Sequence, residues 1–411
     1  MNRIIIIGNG FDLAHGLKTR YDDFINWYWG RWLKILYTTT NETKKDELFE
    51  IRTKYNFDCL RNYFHTCYTE GNVYNQIEKV RKESSLSSII SPFLERISKS
   101  IETKGWVDIE ADYYAMLVKC KGKKDELERL NKDFAIIQGL LVEYLNEIQE
   151  ERINEEILIE KMRNQMLSPF SVNEVSIEST DKWFAFLDTR FKSGSYTRDI
   201  KSFILSNVER RVRDVREFIS VYKKQECNIG LKSNSDVIPP DMLYPDRVML
   251  LNFNYTKTAD LYLPNNPLFI VNHIHGELSN PESVIFGYGD ESDDEYKTIV
   301  KQNDNEFLKH IKTNRYLETD KYRQLLSFVN SAPFQVCIMG HSCGLSDKTM
   351  LNTLFEHDNC VSIKPYYYIN EQGKDNYLDI VQNISRNFTN PQLMRDRVVN
   401  KTFCEPLPQL D

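Results

Sequence analysis

Four isoleucines in a row, Ile4 to Ile7, run straight into Gly8-Asn9-Gly10-Phe11-Asp12, and few backbones accommodate that order. Side chains alternate across a strand, so an unbroken apolar run must be buried on both faces, as in the centre of a parallel sheet. Gly8 and Gly10 then allow a tight turn and a close approach of backbone to a ligand. A helix is expected to start near Phe11, with its first N–H groups facing whatever lies over the glycines, a geometry that suits a phosphate. The full dinucleotide fingerprint asks for a third glycine where Leu13 stands, and no acidic residue follows at the usual distance to hold a ribose. Nucleotide binding and a plain strand–turn–helix therefore both fit this stretch.

Short apolar runs ending in small or polar residues recur far down the chain. Arg247–Leu251 leads into Asn252-Phe253-Asn254, and Leu268–Val271 into Asn272-His273-Ile274-His275-Gly276. Ser283–Phe286 precedes Gly287-Tyr288-Gly289, Gln335–Met339 precedes Gly340-His341-Ser342, and Val361–Ile363 opens Tyr366-Tyr367-Tyr368. In open α/β sheets, ligands lie beyond the carboxyl ends of strands, where the strand order reverses. The expected fold class is α/β: a Rossmann-like, mostly parallel sheet built from residues 1–17 and 236–411, with a large all-helical insertion, 18–235, after the first strand.

Within that insertion the period changes. Tyr21, Phe24, Trp27, Tyr28, Trp32 and Tyr37 recur at helical spacing and predict a helix with a large buried face. Leu127, Leu130, Phe134, Ile137, Leu141, Tyr144 and Ile148 form a heptad-like stripe, and Ile200 to Tyr222 a second one. Two such helices can pair within the chain or form a contact between two copies of it. Arg210, Arg211, Arg213 and Arg216 lie on the second stripe, as a solvated face or a phosphate or nucleic-acid contact.

Composition narrows the function classes. Apolar content of 41% with 27% charged residues is that of a globular protein, and a net charge of −7 argues against a nucleic-acid-binding surface over the whole molecule. Eight cysteines without a C-x-x-C pair suit a reducing compartment and indicate neither a zinc site nor a disulfide framework. No run approaches the roughly 18 apolar residues of a membrane span, and no signal peptide is expected, so the expected location is the cytoplasm and no membrane partner is expected.

The chemistry-bearing residues gather at the strand ends: Gly8, Asn9, Gly10 and Asp12; Asn252 and Asn254; His273 and His275; His341, Ser342 and Asp347. A carboxamide both donates and accepts without changing charge, and an imidazole takes a proton near neutral pH. Asp108 and Glu110 read either as the acidic start of a helix or as polar groups presented to a site. Asp290 to Glu295 lack the spacing of a calcium loop and read as a solvated acidic turn.

The opening Ile6-Ile7-Gly8-Asn9-Gly10-Phe11-Asp12-Leu13-Ala14-His15-Gly16-Leu17 resembles the AbiH family of bacterial abortive-infection proteins. So do Trp106-Val107-Asp108-Ile109-Glu110, Leu251-Asn252-Phe253-Asn254-Tyr255-Thr256, His273-Ile274-His275-Gly276 and Gly340-His341-Ser342 through Asp347. That resemblance implies defence against bacteriophage, with a phage component as trigger. The order of the strand-end motifs is also similar to that of sirtuin-like (SIR2) NAD-binding domains. This second likeness implies NAD, as substrate or ligand, and the activity of an NAD glycohydrolase. It implies Asn254 and His275 as catalytic residues. It implies Gly340 and Ser342 around the nucleotide, where Gly8, Asn9, Gly10, Asp12, Asn252 and His341 are expected from their places at the strand ends. The four-cysteine zinc module of deacetylating sirtuins is missing, which turns the expectation away from deacetylation. Two other functions fit the residues: a nucleotide-sensing module without turnover, and a nuclease-like toxin with a metal at Asp108 and Glu110.

Overall fold

The computed structural model describes residues 1–38, 43–53, 73–82, 86–104, 107–176, 178–179, 182, 244–262 and 268–410. The chain divides into two compact units. The first comprises Met1–Leu17, Arg152–Val284 and Tyr316–Asp411, and the second Lys18–Glu151 and Ile285–Arg315. The described strands are β1 (Asn2–Ile7), β2 (Thr43–Lys45), β3 (Phe49–Thr53), β4 (Leu86–Ile90), β5 (Val248–Asn252), β6 (Phe269–His273), β7 (Phe334–Met339) and β8 (Cys360–Tyr366).

The first unit is an α/β fold around a five-stranded parallel sheet in the order β6-β5-β1-β7-β8. As its four isoleucines require, β1 is the central strand, and Ile4 to Ile7 are all 0% exposed. Each such burial contributes roughly 1.5–3 kcal/mol. On one face Ile5 and Ile7 pack with Val248, Leu250, Cys337, Met339 and Tyr366, beneath Met162 and Met166 of the helix Glu160–Leu167. Along the chain the strands are laid down outward on one side of β1, then outward on the other. The order thus reverses between β1 and β7, both of whose carboxyl ends lie at the same edge.

The second unit mixes helices with an antiparallel sheet, β2-β3-β4. The aromatic helix forms as expected, over Tyr21–Thr38, with Phe24, Tyr28, Trp29 and Trp32 buried. Its Trp29 and Trp32 stand edge-on to Phe49 of β3. The heptad-like stripe lies on the helix Lys124–Arg152 and buries Leu127, Leu130, Phe134, Ile137, Leu141 and Tyr144.

Three expectations change. The insertion is not all-helical, because β3 buries Phe49 and Ile51 while pairing with two short, half-polar partners that give little sequence signal. The boundaries shift as well: described residues from Arg152 onward belong with the parallel sheet, and Ile285–Arg315 belongs with the second unit. The first shift follows from Met162 and Met166, the second from Phe286 stacked on Phe134 and Tyr288 on Tyr114. Ser283–Phe286 is not a strand: Val284, Ile285 and Phe286 are buried, but outside any ladder, after the turn Pro281–Ser283. The second stripe, the basic run 210–216, and Gly105 and Trp106 lie outside the described residues.

Asp108 caps the helix Ile109–Leu117, its side chain accepting from Ala111 N at 3.0 Å. Glu110 is 6% exposed; it accepts from Gly287 N and forms an ion pair with Lys312 Nζ, each at 3.0 Å. Removing one partner of a buried pair strands the other charge. Lys312→Met should therefore lower the unfolding free energy by about 3–5 kcal/mol, and adding Glu110→Gln should recover part of that loss. Denaturant titration of the two variants checks this.

Candidate functional site

The register of the parallel sheet aligns the strand ends. His273, Asn252, Ile7, Met339 and Tyr366 form one row across it, so the polar residues that follow β1, β5, β6 and β7 emerge at a common edge. The reversal between β1 and β7 falls in the middle of that row.

At the reversal two turns meet backbone to backbone. Gly10 N donates to Gly340 O at 2.7 Å, and Phe11 N to Gly8 O at 2.8 Å. A Cβ on Gly8 would stand 2.6 Å from His341 Cα, and one on Gly10 2.8 Å from Gly340 O. Gly340 has φ +78°, and a Cβ there would overlap Phe11 N. The neighbour that comes close at Gly8 and Gly10 is thus the turn after β7. The helix starts earlier than expected, at Asn9, and spans only Asn9–Ala14, with the Gly10 and Phe11 N–H groups already bonded inside the protein.

Asn252 shapes the turn after β5. Its Oδ1 accepts from Asn254 N at 3.0 Å, and its Nδ2 donates to Thr256 O at 3.0 Å and to His273 Nδ1 at 3.2 Å. That last contact leaves Nε2 of His273 to face Asp260, 3.2 Å away. Asn254 is half-buried and ties this turn to β1, its Nδ2 donating to Gly8 O at 3.0 Å. Beneath it, Asp12 Oδ2 accepts from Thr256 Oγ1 at 2.6 Å, while Oδ1 is buried with no hydrogen-bond partner among the described residues. Burial pushes the Asp12 carboxyl up to about 6, against the opposing effect of Thr256, Thr258 and Asn254.

His275 and His341 converge on one carboxylate. His275 Nε2 lies 3.4 Å from Asp347 Oδ1, and His341 Nε2 lies 3.5 Å from Asp347 Oδ2. The hydroxyl of Tyr316 is 3.1 Å from His275 Nε2, with its ring nearly parallel to the imidazole. The Phe253 ring contacts both imidazoles. Cys343, within the same turn, is no nucleophile: its thiol is fully buried and pushed far above its ordinary range.

Exposure sorts the residues named from the sequence. Asn9 and Ser342 are exposed, and Gly10, Asn254 and Gly340 are half-buried, so these can meet a ligand directly. Asp12, Asn252, His275 and His341 are buried. Tyr316 escaped the sequence reading, since a lone tyrosine after a basic residue carries no pattern. His15, present in the opening motif, is structural: Nδ1 donates to Phe11 O at 2.7 Å and Nε2 meets Tyr262 Oη at 2.6 Å. Among the described residues, no group of three or more His, Cys, Asp or Glu is placed to share a metal ion, and Asp108 and Glu110 hold the scaffold contacts given above.

Two outcomes follow. An Asp whose folded pKa is raised above its unfolded value favours folding at pH below that unfolded value and opposes it once pH passes the folded value. Asp12→Asn should thus stabilise the protein by about 3 kcal/mol at pH 8, and by little near pH 4, in thermal melts across that range. For the glycine turn, Gly340→Ala combines left-handed backbone with overlap and should cost about 3 kcal/mol or more. Gly16→Ala, at φ +74° with open space around it, should cost only about 1 kcal/mol in the same melts.

Among the described residues, no helix is long and apolar enough to cross a membrane. No curated protein and no solved structure matches this chain. The family model described as "Bacteriophage abortive infection AbiH" matches residues 4–368, from the buried isoleucine strand through the turn that holds Asp347 to the residues after β8. The chain belongs to the AbiH family of bacteriophage abortive-infection proteins.

Proposed function

We propose that this abortive-infection protein binds NAD, or a closely related nucleotide, over the strand ends and hydrolyses its nicotinamide–ribose bond. The observation that carries this reading is the arrival of Asn254 and His275 at the edge where the order of the parallel sheet reverses, beside the exposed Asn9 and Ser342. The exposed side chains of Asn9 and Ser342 would contact phosphate and ribose oxygens, with Gly10 and Gly340, bonded to each other, forming the floor beneath them. The likeness in motif order to sirtuin-like domains supports the same assignment.

In the reaction, water attacks C1′ of the ribose as the C1′–N bond breaks, and nicotinamide leaves with the electron pair of that bond. Asn254 positions the ribose and the incoming water, a task for which a neutral group that donates and accepts is suited. His275 takes the proton the water loses, assisted by the Asp347 carboxylate 3.4 Å away. The products are ADP-ribose and nicotinamide, and depletion of the cofactor arrests the infected cell.

A second reading, a nucleotide sensor without turnover, is favoured by one observation: His275 is only 4% exposed. The two separate cleanly. In cells challenged with phage, NAD should collapse with the wild-type chain and hold with Asn254→Ala or His275→Ala. Purified, each variant should lose about 100-fold or more in NAD hydrolysis while remaining folded. Full activity in both variants overturns the mechanism. One nucleotide per chain, recovered intact after long incubation with the wild type, moves the assignment to the sensor.

A further inference from the structure

Asp12 is a buried acid beside Asn254 that the proposed reaction does not use. We infer that Asp12 is a positioning residue for Asn254: as a carboxylate it holds the amide end of that side chain inward, together with Gly8 O, and so presents the Asn254 carbonyl oxygen to the ligand. Protonation of Asp12 releases the hold. This rests on the assignment of Asn254 in the proposed reaction, and narrows its part there to that of a hydrogen-bond acceptor.

The orientation of Asn254 follows from what lies on its inner side. Its Nδ2 donates to Gly8 O at 3.0 Å, and a carbonyl oxygen can only accept. Gly8 caps the helix Asn9–Ala14, and Asp12 follows it by four residues, about one turn along the same face. The Asn254 carboxamide accordingly acts on Asp12 as a hydrogen-bond donor and lowers its proton affinity. With acceptors on the inner side, Nδ2 stays inward and Oδ1 is turned away from them. The main chain is held too, because Asn254 N donates to Asn252 Oδ1 at 3.0 Å.

The hold depends on charge. Asp12 Oδ2 accepts from Thr256 Oγ1 at 2.6 Å, the length of a charge-assisted bond, and Thr256 Oγ1 accepts from Thr258 Oγ1 at 3.4 Å. Both hydroxyls therefore point toward the carboxylate. A proton on Oδ2 would oppose the Thr256 hydroxyl, and one on Oδ1 would find no acceptor among the described residues. Burial nevertheless raises the proton affinity, so that Asp12 changes charge near pH 6. The groups that face it from the turn after β5, Asn254, Thr256 and Thr258, are neutral. Lys257 and Asp260 of that turn are exposed, with Asp260 against His273. Beside it on its own segment, His15 is committed to Phe11 O and Tyr262 Oη, and in the turn after β7 His341 faces Asp347. Burying this charge opposes folding above pH 6, so stability alone does not account for an acid at this place.

The test uses the full chain labelled with 15N in asparagine and 13C in aspartate, the two signals being assigned by Asn254→Ala and Asp12→Asn. In the wild type the Asp12 carboxyl carbon should titrate near pH 6, and the side-chain amide of Asn254 should move with the same midpoint. In Asp12→Asn, expected to be the more stable protein at pH 8, the Asn254 amide should hold still across that range. In NAD hydrolysis at pH 8 the same variant should lose about tenfold in kcat with KM little changed, as when a positioning group is misplaced. An Asn254 amide that does not follow Asp12 in the wild type overturns the inference. Movement that persists in a folded Asp12→Asn also overturns it, as does undiminished kcat in that variant. If the amide behaves as stated but the wild type cleaves no nucleotide, the hold of Asp12 on Asn254 stands and the proposed reaction falls.

Discussion

The absence of side-chain atoms at Gly8, Gly10 and Gly340 is the constraint on which the first unit depends. Only bare backbone lets Gly10 N reach Gly340 O at 2.7 Å, and that contact sets how closely the ends of β1 and β7 approach. From it the other strand ends take their places. Gly8 offers its carbonyl to Asn254, which docks the turn after β5, while Gly340 delivers His341 toward Asp347. The sheet hydrogen bonds fix which strands are neighbours, and the glycine contact fixes what their ends can reach.

Buried charge is handled in two ways. In the second unit Glu110 meets the full countercharge of Lys312, an arrangement that secures a segment. In the first unit, among the described residues, no cation pairs with Asp12: a hydroxyl serves one oxygen and the other has no hydrogen-bond partner. Asp347 meets two imidazoles, whose charge is conditional. Incomplete compensation costs stability, and such sites persist where protons or ligands are handled. The contrast separates a scaffold acid from candidate site acids more sharply than burial does, since all three are buried.

Much of the parallel sheet was legible because its strands are unbroken apolar runs ending in glycine, asparagine or histidine, a pattern that burial on both faces enforces. Ser283–Phe286 has the same look and is not a strand; burial, which the pattern reports, does not require a ladder. β2 and β4 were illegible for the opposite reason, being short and half-polar around a single apolar strand. The return of the chain to the sheet after Arg152 rests on Met162 and Met166, whose spacing equally suits a helix of the insertion. At the site, the asparagines and histidines could be named from their strand ends. Their roles could not, because tautomer and charge depend on partners such as Tyr316, set by turns with no sequence pattern.

The opening motif shows why a family signature need not be a list of ligand contacts. Of its polar side chains, Asp12 holds the turn after β5 through Thr256, and His15 bonds to Phe11 O and to Tyr262, which in turn accepts from Ile159 N. Phe11 packs against both rings. Gly8 and Gly10 seat the turn after β7. Asn9 alone among the polar side chains is exposed. Each of the others constrains a different neighbouring segment, so a change at any one of them loosens the segment it holds. A residue can thus be indispensable to the site while never touching what binds there, and Asn9 is the motif side chain from which direct recognition is expected.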